Sequence, residues 1–269
     1  MDEDRERRGG EGAESLAEDV REAIREVRSW IDAAESVVVL TGAGISTDSG
    51  IQDFRGPQGL WTQNPEAEKM ATLQYYMADG ELRKRAWQGK RVAIEQSPRP
   101  NSGHRALVEL ERRGRLHTLI TQNVDGLHQD AGSDPARVVE IHGTLREVVC
   151  MSCGERGPME ETLERVRAGE EDPACQRCGG ILKSATISFG QGLVDEDLAR
   201  SESAANSCDL LIAIGSTLSV YPIAAVVPVA KEAGARIVIV NAGPTEMDSL
   251  ADAVLRGSIS EILPPLLAS

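Results

Sequence analysis

Five short runs of β-branched and aliphatic residues constrain this chain most: "VVVL" (37–40), "LHTLITQ" (116–122), "RVVEIHG" (137–143), "DLLIAIG" (209–215) and "RIVIVNAG" (236–243). Apolar runs this short and continuous read as strands buried on both faces, the habit of parallel sheets. Around them the apolar residues switch to helical spacing. Leu16, Val20, Ile24, Val27 and Ile31 recur on one helical face up to about Ala34, opened by a capping box of Ser15 with Glu18. "SGHRALVELERRG" (102–114), "DEDLARSESAANS" (195–207) and "PIAAVVPVAKEAG" (222–234) read as further helices, with a last one over 258–268. Strands alternating with helices indicate an α/β fold, a parallel sheet covered on both sides.

Two stretches interrupt the alternation. After the glycine turn that follows "VVVL", the chain is polar and irregular to residue 95, and reads as a loop followed by a small helical segment. Residues 145–186 carry four cysteines and many charges, so they form an insertion rather than a terminal module. The strand "ATISFG" (185–190) then resumes the alternation.

A chain of 269 residues has room for one large domain with an insertion, or for two modest ones. Its 43 acidic against 29 basic residues give a formal net charge of −14. That argues against direct nucleic-acid binding, which needs a basic footprint, and is compatible with a basic peptide or protein partner. No stretch approaches the roughly 20 apolar residues of a membrane span. The opening "MDEDRERRGGEGAES" lacks the apolar core of a secretory signal and reads as a solvated tail, so the cytoplasm is the expected compartment.

"CMSC" (Cys150, Cys153) and "CQRC" (Cys175, Cys178) are two C-x-x-C knuckles about twenty residues apart. Each lets two thiolates converge on one tetrahedral Zn²⁺, and the second pair closes the site, leaving no place for water. The metal is therefore expected to be structural. Two disulfides or a redox dithiol compete with that reading; a reducing compartment disfavours the first and the matched second pair the other. Cys208 reads as a small core residue.

"TGAGISTDSGIQDFRG" (41–56) follows the first strand run. Gly42 and Gly44 permit a tight turn whose backbone N–H groups approach a pyrophosphate. A dehydrogenase turn would place a third glycine where Thr47 stands and an acidic ribose ligand about 20 residues on; neither is present. Three more polar clusters, "TQNVDGLH" (121–128), "HGT" (142–144) and "GSTLSVYP" (215–222), sit where strands end, with "NAG" (241–243) as a fourth. Open parallel sheets bind ligands at those ends. Turn chemistry alone accounts for any one cluster, but poorly for their shared placement.

With these residues assembled, the chain resembles the sirtuins, NAD-dependent protein-lysine deacylases. "GAGISTDSGIQDFRG", "TQNVDGLHQDAG", "HGT", the paired knuckles, "ISFGQ", "GSTLSVYP" and "VNAGPTEMD" occur in family order over roughly residues 35 to 265. Gln52 departs from the pattern by replacing a proline that rigidifies the cofactor loop. The resemblance implies a Rossmann-like NAD-binding domain of residues 15–60, 96–144 and 187–269, a helical module of 61–95 and a zinc module of 145–186, behind a tail of 1–14. It implies that NAD is consumed as co-substrate. Gly42, Ala43, Gly44, Ser46 and Thr47 would hold the pyrophosphate region, and Asp53, Phe54 and Arg55 would belong to a loop over the nicotinamide ribose. Gln122, Asn123 and Asp125 would line the ribose and nicotinamide pocket, Asn123 and Asp125 taking part in catalysis. Gly215, Ser216, Thr217, Asn241 and Ile259 would contact the adenosine half. Phe189, Gly190, Leu218, Ser219 and Val220 would pair by backbone with an extended acyl-lysine peptide.

The chemistry implied is attack of the acyl carbonyl oxygen on the nicotinamide ribose, which releases nicotinamide, followed by water, which resolves the intermediate to free lysine and O-acyl-ADP-ribose. His142 would be the base, its ordinary pKa near 6.5 suiting proton abstraction around neutrality. His104 and His117 read as helix-cap or surface groups and His128 as a satisfied loop histidine. In "ELRKRAWQGKR" (81–91), relatives that remove acidic acyl groups carry a tyrosine and an arginine three apart. The match here is Trp87 and Lys90, a poorer carboxylate clamp, so the expectation leans to acetyl or other neutral acyl groups. Protein mono-ADP-ribosyl transfer at the same NAD site is the nearest alternative. A non-catalytic zinc module would leave His142, Asn123 and Asp125 without a role.

Overall fold

The computed structural model describes residues 18–54, 56, 59–64 and 66–268. Ser15 of the expected capping box, the tail 1–14 and Arg55 lie outside the described residues. Helix α1 (Glu18–Ala33) leads into strand β1 (Val37–Thr41) and a 3-10 turn over Ala43–Ser49. Helices α2 (Leu60–Gln63), α3 (Glu66–Met70), α4 (Leu73–Ala78) and α5 (Gly80–Glu95) follow. Next come α6 (Ser102–Arg112), β2 (Leu116–Thr121), α7 (Leu127–Ala131), β3 (Val138–Glu140), β4 (Gly143–Cys150), β5 (Arg156–Pro158), α8 (Met159–Arg167) and β6 (Leu182–Thr186). The chain closes with α9 (Asp195–Ser207), β7 (Leu210–Ile214), α10 (Val226–Glu232), β8 (Arg236–Val240), β9 (Ala253–Leu255) and α11 (Ile259–Leu267).

One sheet runs in the order β3-β2-β1-β7-β8-β9 with its neighbouring strands parallel. The chain works outward from β1 to β3, then restarts beside β1 at β7. A parallel sheet opens a crevice at such a reversal, beyond the carboxyl ends of the strands. The β1 side chains show why it is buried on both faces. Val37 and Val39 pack with Ile24, Val27 and Ile31 of α1, Leu107 and Leu110 of α6 and Ile262 and Leu263 of α11. Val38 and Leu40 point the other way, into Ala204 and Ala205 of α9 and Val226, Val227 and Ala230 of α10. At about 1.5–3 kcal/mol for each fully buried aliphatic side chain, these faces set strand order and register together.

A second sheet, β5-β4-β6, is antiparallel and has its own apolar cluster of Trp87, Val148, Met159, Leu163, Val166 and Leu182 with Cys150 and Cys175. Several expectations are corrected here. The strand in "ATISFG" is Leu182–Thr186, and it pairs with β4 in this small sheet instead of joining the parallel one. "RVVEIHG" is divided: Val138–Glu140 lies in the large sheet, Gly143 starts β4 in the small one, and His142 stands at the joint. The expected helical segment before residue 95 is present as α2 to α5, whereas 222–234 is not one helix but a 3-10 turn (Ile223–Ala225) followed by α10. Strand β9 had no sequence signal, being three residues long at the sheet edge.

Candidate active site

Two glycine turns meet at the switch point. The Gly42 N–H donates to the Ile214 carbonyl and the Gly44 N–H to the Gly215 carbonyl, both at 2.9 Å. A Cβ on Gly44 would stand 2.7 Å from the Gly215 Cα, and one on Gly215 2.6 Å from the Ile45 nitrogen. Only glycine lets the turns after β1 and β7 touch backbone to backbone. Beyond them opens a cleft of 2490 Å³ between the two sheets' loops.

A buried polar network stands behind it. Thr41 and Thr121 are register partners at the ends of β1 and β2, and Thr41 Oγ1 donates to Thr121 Oγ1 at 2.8 Å. The Asn123 N–H donates to Thr121 Oγ1 at 3.1 Å, while its Nδ2 reaches the Gly42 carbonyl at 3.2 Å and Ser46 Oγ at 3.1 Å. Ser46 Oγ donates to Asp125 Oδ2 at 2.8 Å, and the Leu127 N–H donates to Asp125 Oδ1 at 2.9 Å. Burial raises the Asp125 pKa, and these two donors offset it only in part.

Two further histidines belong to this network. His104 caps α6 as expected, Nδ1 accepting from the Asn101 N–H, but it is fully buried and its Nε2 reaches Ser46 Oγ at 3.5 Å. His128 lies in α7, not a loop, with Nε2 3.0 Å from Thr41 Oγ1. Thr41 spends its hydrogen on Thr121, so His128 donates from Nε2 and its bare Nδ1 has no partner among the described residues. The expectation of a satisfied histidine is corrected on that nitrogen. Burial pushes His104 down to about 4 and His128 to about 3, so both are neutral near pH 7. His117 is an exposed strand residue, Nδ1 2.9 Å from Thr118 Oγ1.

His142 faces the cleft with Nδ1 3.0 Å from the Gln122 carbonyl oxygen. A carbonyl can only accept, so Nδ1 carries the hydrogen and Nε2 keeps its lone pair. Burial lowers the pKa of this imidazole, opposed by the same carbonyl, which favours the cation. The Ile187 N–H holds the His142 carbonyl at 2.7 Å. Gly143, at φ 73°, allows that approach, since a Cβ there would lie 2.1 Å from the Ala185 carbonyl oxygen.

The four knuckle sulfurs all lie within 4.8 Å of one another, with Cys150 and Cys178 3.5 Å apart and Cys153 and Cys175 3.8 Å apart. Tetrahedral zinc at about 2.3 Å from each sulfur spaces them about 3.8 Å apart, so the cluster fits one Zn²⁺ with every position taken. Backbone hydrogen bonding at Cys153 draws the Cys150 thiol down to about 6. Although the Gly180 N–H favours its thiolate, the neighbouring sulfurs push Cys178 up to about 12. Sulfurs crowded this way accept a cation readily. Cys208 is a buried core residue.

The cleft gathers Gly42, Ala43, Gly44, Ser46, Thr47, Asp53, Phe54, Gln122, Asn123, Asp125 and His142 with Phe189, Gly190, Gly215, Ser216, Thr217, Val220, Asn241 and Ile259. Within it Gln122 Nε2 donates to Ser216 Oγ at 2.9 Å, linking the ends of β2 and β7. Ser46 turns its side chain into Asp125 and Ile259 packs into the core, so neither side chain is turned to a ligand in the cleft. Leu218 and Ser219 are not among the cleft-lining residues: Leu218 is buried and Ser219 Oγ pairs with Thr217 Oγ1 at 2.8 Å. The expectation for Phe189 is corrected. Its N–H donates to the Ala71 carbonyl at 2.8 Å and its carbonyl accepts from the Leu73 N–H at 3.0 Å, so the link between α3 and α4 already holds that backbone. Trp61, missed because it sits alone in a polar stretch, stacks between Phe54 at 4.7 Å and Phe189 at 5.3 Å between ring centres.

A sequence profile of the Sir2 family matches residues 42–222. The chain is 51% identical over 231 residues to NAD-dependent protein deacetylase 2 of Streptomyces coelicolor, a match covering 86% of this chain and 96% of that protein. A solved structure described under the mechanism and regulation of Sir2 enzymes is similar with a TM-score of 0.83 at 37% identity, covering 91% of this chain and 96% of the other. Another, of Sir2 with a p53 peptide and NAD⁺, has a TM-score of 0.79 at 30% identity, covering 89% and 95%.

Proposed function

This chain belongs to the Sir2 family, and from that premise we propose that it is an NAD-dependent protein-lysine deacylase with His142 as its base. NAD would supply, when bound, an activated ribose carbon to take the acyl oxygen as nicotinamide leaves, with one water consumed in releasing free lysine and leaving the acyl group on ADP-ribose. The glycine turns at Gly42, Gly44 and Gly215 leave room for its pyrophosphate, and Asn241 and Ser216 stand on the adenosine side. Asn123 and Asp125, fixed through Ser46 and Thr121, line the ribose and nicotinamide pocket. Asp53 and Phe54 belong to the covering loop. The observation that carries the base is the Nδ1 bond of His142 to Gln122, which leaves Nε2 free to take a proton from a ribose hydroxyl.

One Zn²⁺ held by Cys150, Cys153, Cys175 and Cys178 is structural, its four positions filled by sulfur. The division into 15–60, 96–144 and 187–269 against 61–95 and 145–186 goes with this reading, as does a cytoplasmic location, where thiols stay reduced. An acyl-lysine protein is the partner, its extended segment laid between Gly190 and Val220; neither nucleic acid nor membrane is. Among the described residues no helix is long and apolar enough to cross a membrane.

Incubating the chain with acetyl-lysine peptide and NAD, while following free nicotinamide and peptide mass together, tests the reading. Stoichiometric nicotinamide and deacetylated peptide are expected. Label from NAD accumulating on protein, with the peptide unchanged, would replace deacylation by ADP-ribosyl transfer.

A further inference from the structure

Gly126 closes the turn that carries Asp125. Its φ of 73° is left-handed, and the Leu127 N–H returns to Asp125 Oδ1 at 2.9 Å, so carboxylate and backbone share one tight bend. Arg146 of β4 lies across that bend. A Cβ on Gly126 would stand 2.0 Å from Arg146 Nε and 2.6 Å from its Cζ. Arg146 Nη2 donates to the Gly126 carbonyl at 2.9 Å and lies 2.6 Å from Asp130 Oδ2. One residue earlier, the Leu145 N–H donates to the Val124 carbonyl at 2.9 Å. The start of β4 thus holds the chain on both sides of Asp125, at 124 by backbone and at 126 by a side chain. Asp125 and Arg146 both line the cleft.

The charges around Asp125 come from four elements. Ser46, from the turn after β1, and the Leu127 N–H donate to it, Asp130 of α7 and Glu140 of β3 are the acids near it, and Arg146 of β4 is set against all three carboxylates. Burial is the largest influence on Asp125 and raises its pKa; the Leu127 N–H, the Ser46 hydroxyl and then the Arg146 charge draw it back, while Asp130 raises it. Glu140 is likewise raised by burial first, with Gln129 and then Arg146 opposing. Arg146 and Asp130 are both about half exposed, so their ion pair adds little to stability. Its consequence is local: the guanidinium is held in place over the turn, where its charge acts on a buried acid.

We infer that Arg146 is a positioning residue for the reaction, its guanidinium laid over Gly126 to fix the 124–127 turn and present Asp125 to the cleft as a carboxylate. What the carboxylate then does rests on the deacylase reading. It faces a ribose whose bond to nicotinamide is breaking, where positive charge develops, and assists only while ionised. Gly126 is the other half of the device, because a side chain there takes the space of the guanidinium.

The full-length chain, zinc bound, is compared with Arg146→Met, Arg146→Lys and Gly126→Asn. Asparagine tolerates the left-handed conformation, so the last variant displaces the guanidinium with little backbone strain. The Asp125 carboxyl is titrated by carbon-13 NMR, its signal identified by its loss in Asp125→Asn, and kcat and KM on acetyl-lysine peptide with NAD are followed from acid to neutral pH. In Arg146→Met and Gly126→Asn the carboxyl titration is expected to move to higher pH. With it, kcat at pH 7 falls about tenfold while KM for NAD changes little, a smaller loss than the 10²-fold that an ångström of misplacement can cost. The deficit deepens at acid pH, narrows as pH rises, and is largely recovered in Arg146→Lys, which keeps the charge. A carboxyl titration unmoved in both variants overturns the inference. So does a kcat deficit equal at every pH that lysine does not recover, the mark of a merely structural contact. If the natural chain processes no acyl peptide, the deacylase reading fails, and the carboxyl titration still judges Arg146.

Discussion

His142 combines two features that a general base needs, a lone pair facing the cleft and a neutral ring at working pH. The first follows from the Gln122 carbonyl, which fixes the tautomer. The second follows from burial, which disfavours the imidazolium and lowers the pKa from its ordinary 6.5. His142→Ala is therefore expected to retain NAD binding while acyl transfer falls by at least about 10²-fold, the lower range for removing a general base. Calorimetric titration with NAD beside steady-state turnover checks both halves. The pKa shift also has a sign. A base whose folded pKa is lowered becomes active at lower pH, so kcat/KM should climb with pH and reach its half-value below 6.5. A midpoint above that, in a reaction limited by proton abstraction, would place the proton on another group. The neighbouring histidines were harder to read from residues alone. Nothing in "PNSGH" or "DGLH" distinguishes a surface cap from a ring that is fully buried beside Ser46 or Thr41, because the partners come from other strands.

The parallel sheet was legible wherever both of its faces are covered, since Val37 to Leu40 must bury every side chain and composition alone announces it. The cleft residues were legible for a related reason: they cluster in turns at strand ends, close in sequence to the runs that place them. The small sheet was not. β4 has one buried and one partly exposed face and begins within a run that reads as a single strand, and β6 is set by pairing with β4 across a separation of 32 positions, Cys150 against Leu182. Gly143 makes the element-scale dependence testable. Its φ of 73° and the 2.1 Å approach to the Ala185 carbonyl mean that Gly143→Ala must open the contact between β4 and β6. A loss of at least about 1–2 kcal/mol from the left-handed conformation alone is expected, with turnover falling as His142 loses its anchor. Chemical denaturation and kinetics report the two effects separately. The zinc knuckles offer the companion case. Cys175→Ser leaves three sulfurs, and because two of the cysteines also sit in the small apolar cluster, metal loss should loosen β4, β6 and α8 together. Elemental analysis that finds full zinc in this variant would contradict a four-sulfur site.

At the scale of the whole molecule, the two buried histidines couple stability to acidity. His104 and His128 are held at about 4 and about 3 in the folded chain, against an ordinary 6.5 when unfolded. Burial is the main cause for each, with Arg105 adding to it at His104 and His104 adding to it at His128. Below pH 6.5 the unfolded chain takes up protons that the folded chain refuses. Folding stability is thus fully present above 6.5 and falls as the solution is acidified towards the folded values, by about 1.4 kcal/mol per pH unit for each histidine in full effect. His142, lowered by its own burial, contributes in the same direction. Asp125 and Glu140 oppose it, because burial raises both and each gains a proton more readily when folded. Their opposition sets in at their raised folded values, above the ordinary carboxylate range, so the effect of one histidine is read as a difference between chains over the same window, about 6.5 to 5.5. Replacing His128 with Gln keeps a donor for Thr41 and removes the titration. If the coupling is correct, urea denaturation across that window gives a shallower loss of stability for His128→Gln than for the natural chain, even if the variant is less stable at pH 7. Parallel slopes would show that the acid sensitivity does not come from His128.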